Sequence, residues 1–214
     1  MGRGSICPAV PLLESASAAS PNDTVLALRV AAMQAWFGQE KELTATRKRL
    51  LAFAQGTNVV ASEPLAKVCS IRASSDKAEL AAMLALGRAA VELDKNVVWN
   101  QLTLGMAEYR CGNYAASEEA LLAALKVGPN IPVVVGISGF YRAMSLFRQG
   151  KQDEARKLAI ETAGQMEPLP KDDQNPLANG AYYDTQIMWL ACKEANAMIK
   201  FDAALAAPVQ TKPK

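Results

Sequence analysis

Two sets of side chains recur in register along the chain: Trp99, Leu102, Met106, Tyr109 and Arg110, then Ile137, Phe140, Met144, Phe147 and Arg148. Methionine, aromatic and arginine side chains are enriched where proteins meet. Methionine adapts its shape, a ring supplies area, and a guanidinium grips a carboxylate through two parallel hydrogen bonds. The pattern predicts a partner-binding groove built from Trp99, Met106, Tyr109, Arg110, Phe140, Met144, Phe147 and Arg148. In it, Arg110 and Arg148 would hold an acidic side chain or a C-terminal carboxylate. The apolar members also suit plain packing between neighbouring helices, since apolar residues at helical spacing are usually core. The two arginines therefore carry the sharper expectation.

Other chemistry is poorly supplied. The sequence has no histidine, which removes His-based triads, His-ligated metals and imidazole acid–base schemes. Cys7, Cys69, Cys111 and Cys192 are scattered, with neither a CxxC pair nor metal-ligand spacing. They read as free structural thiols of a reducing compartment, and the chain is expected to be cytoplasmic. Asp172-Asp173 lacks the ligand count of a calcium loop, and the stretch around it, Pro168–Gly180, reads as a solvated connector. Asn22-Asp23-Thr24 fits a glycosylation sequon but serves as a helix cap in this reading. The basic run Arg47-Lys48-Arg49 reads as a solvated helix face. No catalytic residue, metal or cofactor is expected.

A formal net charge of +2 on 214 residues gives no field for nucleic acid. No stretch reaches the ~20 continuous apolar residues of a membrane span. The short apolar run Ile6–Leu13 is broken by Pro8 and Pro11 and makes a poor signal peptide. Residues 1–20 read as a linker or disordered N-terminus, and residues 204–214 as a disordered tail.

Half the residues are hydrophobic, 21% are charged and only 6% are aromatic, with alanine abundant, which favours close-packed helices over strands. Apolar residues recur at helical spacing in a series of hairpins. Val25–Phe37 pairs with a helix opening at Gln39, Val98–Cys111 with Tyr114–Val127, and Val133–Gln149 with Gln152–Met166. Glycine stands at each turn: Gly38, Gly112 and Gly150. A shorter helix covers Glu63–Ile71, another starts after Asp76, and a last one covers Tyr182–Phe201. No alternating strand pattern is present. The expected class is all-α, with the helical domain spanning residues 21–203.

The segments Ala90–Asn96 and Ala124–Asn130 align without gaps at an offset of 34 residues, Asp94 to Gly128, the length of a tetratricopeptide repeat. Small residues at Gly105 and Ser117 would let paired helices approach closely, and Pro129 closes the unit. Residues 98–130 resemble a full tetratricopeptide repeat and residues 136–168 a second one without the usual helix-A glycine. The expected architecture is a tetratricopeptide-like α-solenoid of antiparallel hairpins with Tyr182–Phe201 as its C-terminal capping helix.

The wording of several stretches carries a further resemblance: Ala35-Trp36-Phe37-Gly38-Gln39-Glu40-Lys41-Glu42-Leu43, Leu104-Gly105-Met106-Ala107-Glu108-Tyr109-Arg110, Phe140-Tyr141-Arg142-Ala143-Met144-Ser145-Leu146-Phe147-Arg148-Gln149-Gly150 and Pro168-Leu169-Pro170-Lys171-Asp172. Residues 21–203 resemble the C-terminal tetratricopeptide-type region of large bacterial multidomain serine/threonine protein kinases. The resemblance implies a non-catalytic scaffold or sensory module that binds a protein or peptide in its concave groove. Kinase catalytic motifs are missing: there is no Gly-rich phosphate loop with a Val-Ala-Ile-Lys-like strand, no His-Arg-Asp loop and no Asp-Phe-Gly. The alternative is a fragment or paralogue of such a kinase that lacks the catalytic domain.

Overall fold

The computed structural model describes residues 9–20, 22–56, 62–178 and 180–202, and these contain helices and connections with no strand among them. In order they are α1 (Ala9–Ala19), α2 (Thr24–Trp36), α3 (Glu40–Gly56), α4 (Ser62–Ser70), α5 (Lys77–Leu93), α6 (Val98–Arg110), α7 (Tyr114–Val127), α8 (Pro132–Arg148), α9 (Gln152–Gln165) and α10 (Tyr183–Ile199).

Local chemistry fixes the boundaries. Asp23 caps α2 by accepting the Leu26 N–H at 2.8 Å, and Asp76 caps α5 through Ala78 and Glu79. The three hairpin turns share one geometry. Gly38, Gly112 and Gly150 sit at φ +67°, +80° and +82°, where a side chain is strained. In each case the next residue donates to the carbonyl five places back: Gln39 to Gln34, Asn113 to Glu108, Lys151 to Leu146. This is the Schellman ending of a helix, repeated three times.

Pairing within each unit is close. Ser117 Oγ donates to the Gly105 carbonyl at 2.8 Å, and a Cβ on Gly105 would overlap the Leu121 side chain. Gly139 of α8 stands equally tight against Thr162 of α9.

The helices form two layers. Helices α2, α4, α6, α8 and α10 are the inner set, and α3, α5, α7 and α9 lie outside, with α1 against α2. The inner helices run in the same direction: Val25, Pro64, Trp99, Val133 and Asp184, near their starts, border one recess, while Lys193 lies 3.7 Å from the Trp36 ring centre toward the ends of α10 and α2. Each inner helix packs on the next, and α10 packs back on α2. The inner set is therefore a closed ring rather than an open concave row, and α10 seals it. Tyr141, Phe140, Leu28, Leu102, Met106 and Ile137 fill its interior, each burial contributing about 1.5–3 kcal/mol before entropy is counted.

The connector between α9 and α10 straps the seam where the ring closes. Trp36 Nε1 donates to the Asp173 carbonyl at 2.9 Å, Trp189 Nε1 donates to the Glu167 carbonyl at 3.0 Å, and the two indoles meet at 5.9 Å. Lys193 adds an ion pair to Asp173 at 3.3 Å. The connector is solvent-exposed along most of its length, as expected, and also acts as a latch, because two indole N–H groups need acceptors once their rings are packed.

Two expectations are corrected. Of the segment read as linker, residues 9–19 form α1, which buries Val10 and Ser17, and Gln34 of α2 donates to Glu14 at 2.8 Å. Residues 1–8 and the tail 203–214 lie outside the described residues. The basic run Arg47-Lys48-Arg49 is not uniformly solvated. Arg47 is buried, donates to the Arg72 carbonyl at 2.8 Å and pairs with Glu79 at 3.4 Å. Arg72 in turn donates to the Ala35 carbonyl, so α2 ends on a guanidinium donor.

Candidate functional site

The residues expected to form a groove fall in three environments. Met106, Phe140 and Met144 are fully buried core, and Tyr109 is buried with its ring edge-on to Tyr141 at 5.3 Å. Phe147 is half-buried against the same core, while Arg148 is exposed, beside the Tyr109 hydroxyl. Trp99 lies elsewhere, at the opposite end of the ring.

Arg110 is the main correction. Its side chain is 2% exposed and its donors are consumed within the chain. Nε donates to the Ser70 carbonyl at 2.8 Å and Nη2 to the Ile71 carbonyl at 2.9 Å, so Arg110 caps the carbonyl end of α4. Nη1 and Nη2 grip both oxygens of Glu194 on α10. The Tyr141 hydroxyl accepts from Nη2 at 2.9 Å and donates to the Ser70 carbonyl at 3.0 Å. The Tyr141 hydroxyl and the Arg110 guanidinium are both pushed above their ordinary values; burial leads for the tyrosine, while for Arg110 the oxygens of Tyr141 and Glu194 outweigh it. The anion expected from a partner is the chain's own Glu194, and the side chain of Arg110 ties α4, α6, α8 and α10 together.

The N-terminal mouth of the ring is open instead. The first turns of all five inner helices meet there around a recess of about 400 Å³. Val25 and Leu28 of α2, Ile131 and Val133 at the start of α8, and Trp99 of α6 give apolar wall. Tyr182 and Tyr183 stand at the rim with ring centres 4.3 Å apart, and Arg29 lies over both, donating to the Tyr182 hydroxyl at 2.9 Å. The floor is charged. Lys67 Nζ lies 2.7 Å from Glu63 Oε1, 3.5 Å from Asp184 Oδ1 and 4.6 Å from the Trp99 ring centre. Thr103 also donates to Glu63 Oε1, at 2.7 Å.

The sequence dictates this arrangement locally. Pro64 suits the first turn of α4, Glu63 and Asp184 favour the positive ends of α4 and α10, and Lys67 follows Glu63 at the i+4 spacing. Burial pushes the Asp184 carboxyl above its ordinary value, against the pull of Lys67. Burial, then the Asp184 charge, pushes Tyr183 up to about 12. Sequence reasoning found Trp99 and missed the rest. The available signal was a charged or aromatic residue in the first turn of α4, α6 and α10 (Glu63, Trp99, Tyr183 and Asp184), which shows only when those turns are superposed.

Reactive groups are subdued. Burial pushes the thiols of Cys69 and Cys192 up to about 12 and that of Cys111 upward. Among the described residues no group of three or more His, Cys, Asp or Glu side chains could hold a metal ion, and no helix is long and apolar enough to cross a membrane. The arrangement at the mouth suits holding a guest against aromatic walls and paired charges. No protein-family model matches the chain, and no curated protein matches it.

Proposed function

We propose that this chain is a non-catalytic binding module, built from tetratricopeptide-type hairpins whose inner helices close into a ring. Its docking end is the N-terminal mouth and its partner is a segment of a protein or peptide. One observation carries the reading: at that mouth all five inner helices border one recess with aromatic walls and paired charges. The repeated glycine turns and the small-residue pairing of α6 with α7 and of α8 with α9 support the tetratricopeptide assignment. Association with serine/threonine-kinase signalling rests on the sequence resemblance. The reading as a kinase fragment without its catalytic domain shares that basis.

Panning a displayed random-peptide library on the full chain tests the proposal. Peptides should enrich whose binding is lost in Trp99→Ala and retained in Arg148→Ala, which lies at the far end. Binders indifferent to Trp99→Ala would place docking elsewhere and overturn the reading. Phosphate transfer from ATP by the purified chain would overturn its non-catalytic part.

A further inference from the structure

The mouth holds one unbalanced group. Asp184 is 7% exposed and lines the recess, yet its Oδ1 accepts no hydrogen bond. Lys67 Nζ, at 3.5 Å, is beyond good hydrogen-bond length because the ammonium is drawn to Glu63 at 2.7 Å on its own helix. A buried carboxylate oxygen without a donor is costly, and a guest that supplies one recovers that cost.

The charges indicate which donor. Two carboxylates, Glu63 and Asp184, share one ammonium, Lys67, so the floor is one positive charge short of balance. Arg29 of α2 keeps its positive charge, but its guanidinium sits over Tyr182 and Tyr183 at the rim and makes no ion pair with Glu63 or Asp184. Trp99 and Thr103 of α6, and Ile131 and Val133 beside α8, bring no charge. Aromatic faces next to a carboxylate that shares its ammonium with a second one attract cations. Lys67 already demonstrates the geometry, with its ammonium over the Trp99 ring.

We propose that the mouth takes a protonated primary amine on an apolar stem, with the ammonium donating to Asp184 Oδ1 and the stem against Trp99 and Tyr183. The inference rests on the mouth being the docking end and adds the chemistry of the group it takes. A lysine side chain of a peptide and a free arylalkylamine share that chemistry.

The full chain is titrated with phenethylammonium and with two probes of the same body, 2-phenylethanol and phenylacetate. Nuclear magnetic resonance shifts of the Trp99 indole and the backbone at Tyr183–Thr185 follow binding. A lysine peptide and its acetyl-lysine counterpart form a separate arm. The ammonium should bind saturably and at least about tenfold more tightly than the alcohol or the carboxylate, the size of one charge-assisted hydrogen bond. Asp184→Asn should remove that preference. On the wild-type chain, which needs no variant to fold, amine affinity should fall about tenfold per pH unit below the titration of Asp184. If phenethylammonium binds, the free amine suffices; if only the lysine peptide binds, and acetylation abolishes it, the group comes from a peptide. An alcohol or carboxylate that binds the mouth as tightly as the amine, or a pH-independent amine affinity, overturns the inference and leaves the mouth as docking end. If no probe or peptide shifts the mouth residues, both readings fall.

Discussion

Glu194→Gln isolates the bond that closes the far end of the ring. In the wild type, both carboxylate oxygens accept from Arg110, whose side chain is 2% exposed. The substitution keeps the shape and one acceptor but leaves the guanidinium with neutral partners only: the carbonyls of Ser70 and Ile71 and the Tyr141 hydroxyl. Removing one member of a buried pair costs about 3–5 kcal/mol. Glu194 is itself 21% exposed, so water offsets part of the loss, and the glutamine oxygen restores a weaker hydrogen bond. The expected cost is about 2–3 kcal/mol, which for a chain of this size lowers Tm by roughly 5–10 °C. Urea unfolding followed by far-ultraviolet circular dichroism measures it. A double-mutant cycle with Arg110→Met should show a coupling above about 1 kcal/mol, with the double variant more stable than Glu194→Gln alone. A cost within about 0.5 kcal/mol, the range of ordinary surface changes, would refute the claim that this pair holds the inner helices together.

The remaining predictions concern packing, reactivity, pH and the strap. Gly105→Ala should destabilise by about 1–3 kcal/mol because the new methyl meets Leu121, and Ala155→Leu should cost about as much; wild-type melting of both would dissolve the proposed pairing. Alkylation of the native chain at neutral pH, read peptide by peptide, should label Cys111 well before Cys69 and Cys192, whose thiols burial holds near 12; equal rates would contradict that burial. The Asp184 carboxyl is held above its ordinary 3.8 by burial, so between those values the native chain keeps a proton the unfolded chain has released. Stability should therefore fall as pH rises through that window and level off above it, with the step absent in Asp184→Asn. Trp36→Phe removes the donor to the Asp173 carbonyl and should cost about 1 kcal/mol while speeding protease cleavage within 167–178; unchanged cleavage would show that the strap does not depend on this contact.

The helices were legible because each carries its own punctuation. Glycines at 38, 112 and 150 and capping aspartates at 23 and 76 mark ends by local chemistry, and the structure places the boundaries within a residue or two of the expected ones. The residues 9–19 escaped because Pro8 and Pro11 read as breakers, although a proline in the first turn of a helix loses no hydrogen bond. The arginine reading failed for a different reason. The recurrence of Arg110 and Arg148 was real, but periodicity compares positions within one layer and carries no information on what stands across the lumen. Glu194, which meets Arg110 there, is 84 residues away in sequence. The mouth was hidden likewise: Glu63, Trp99 and Asp184 belong to three units and meet only because the inner helices start at one level.

An open stack of hairpins can gain or lose a unit at its ends, since each contacts only its neighbours. Here α10 occupies the face of α2 that another unit would need. An extra hairpin inserted between α7 and α8 would have to widen the circle, parting Lys67 from Asp184 and Arg110 from Glu194 together. The unit number is therefore fixed by circumference, much as strand number fixes a barrel. Such a circle also has no terminal hairpin from which fraying can begin along the inner layer. Opening it requires breaking the α2–α10 seam, and that step exposes the core of both partners at once.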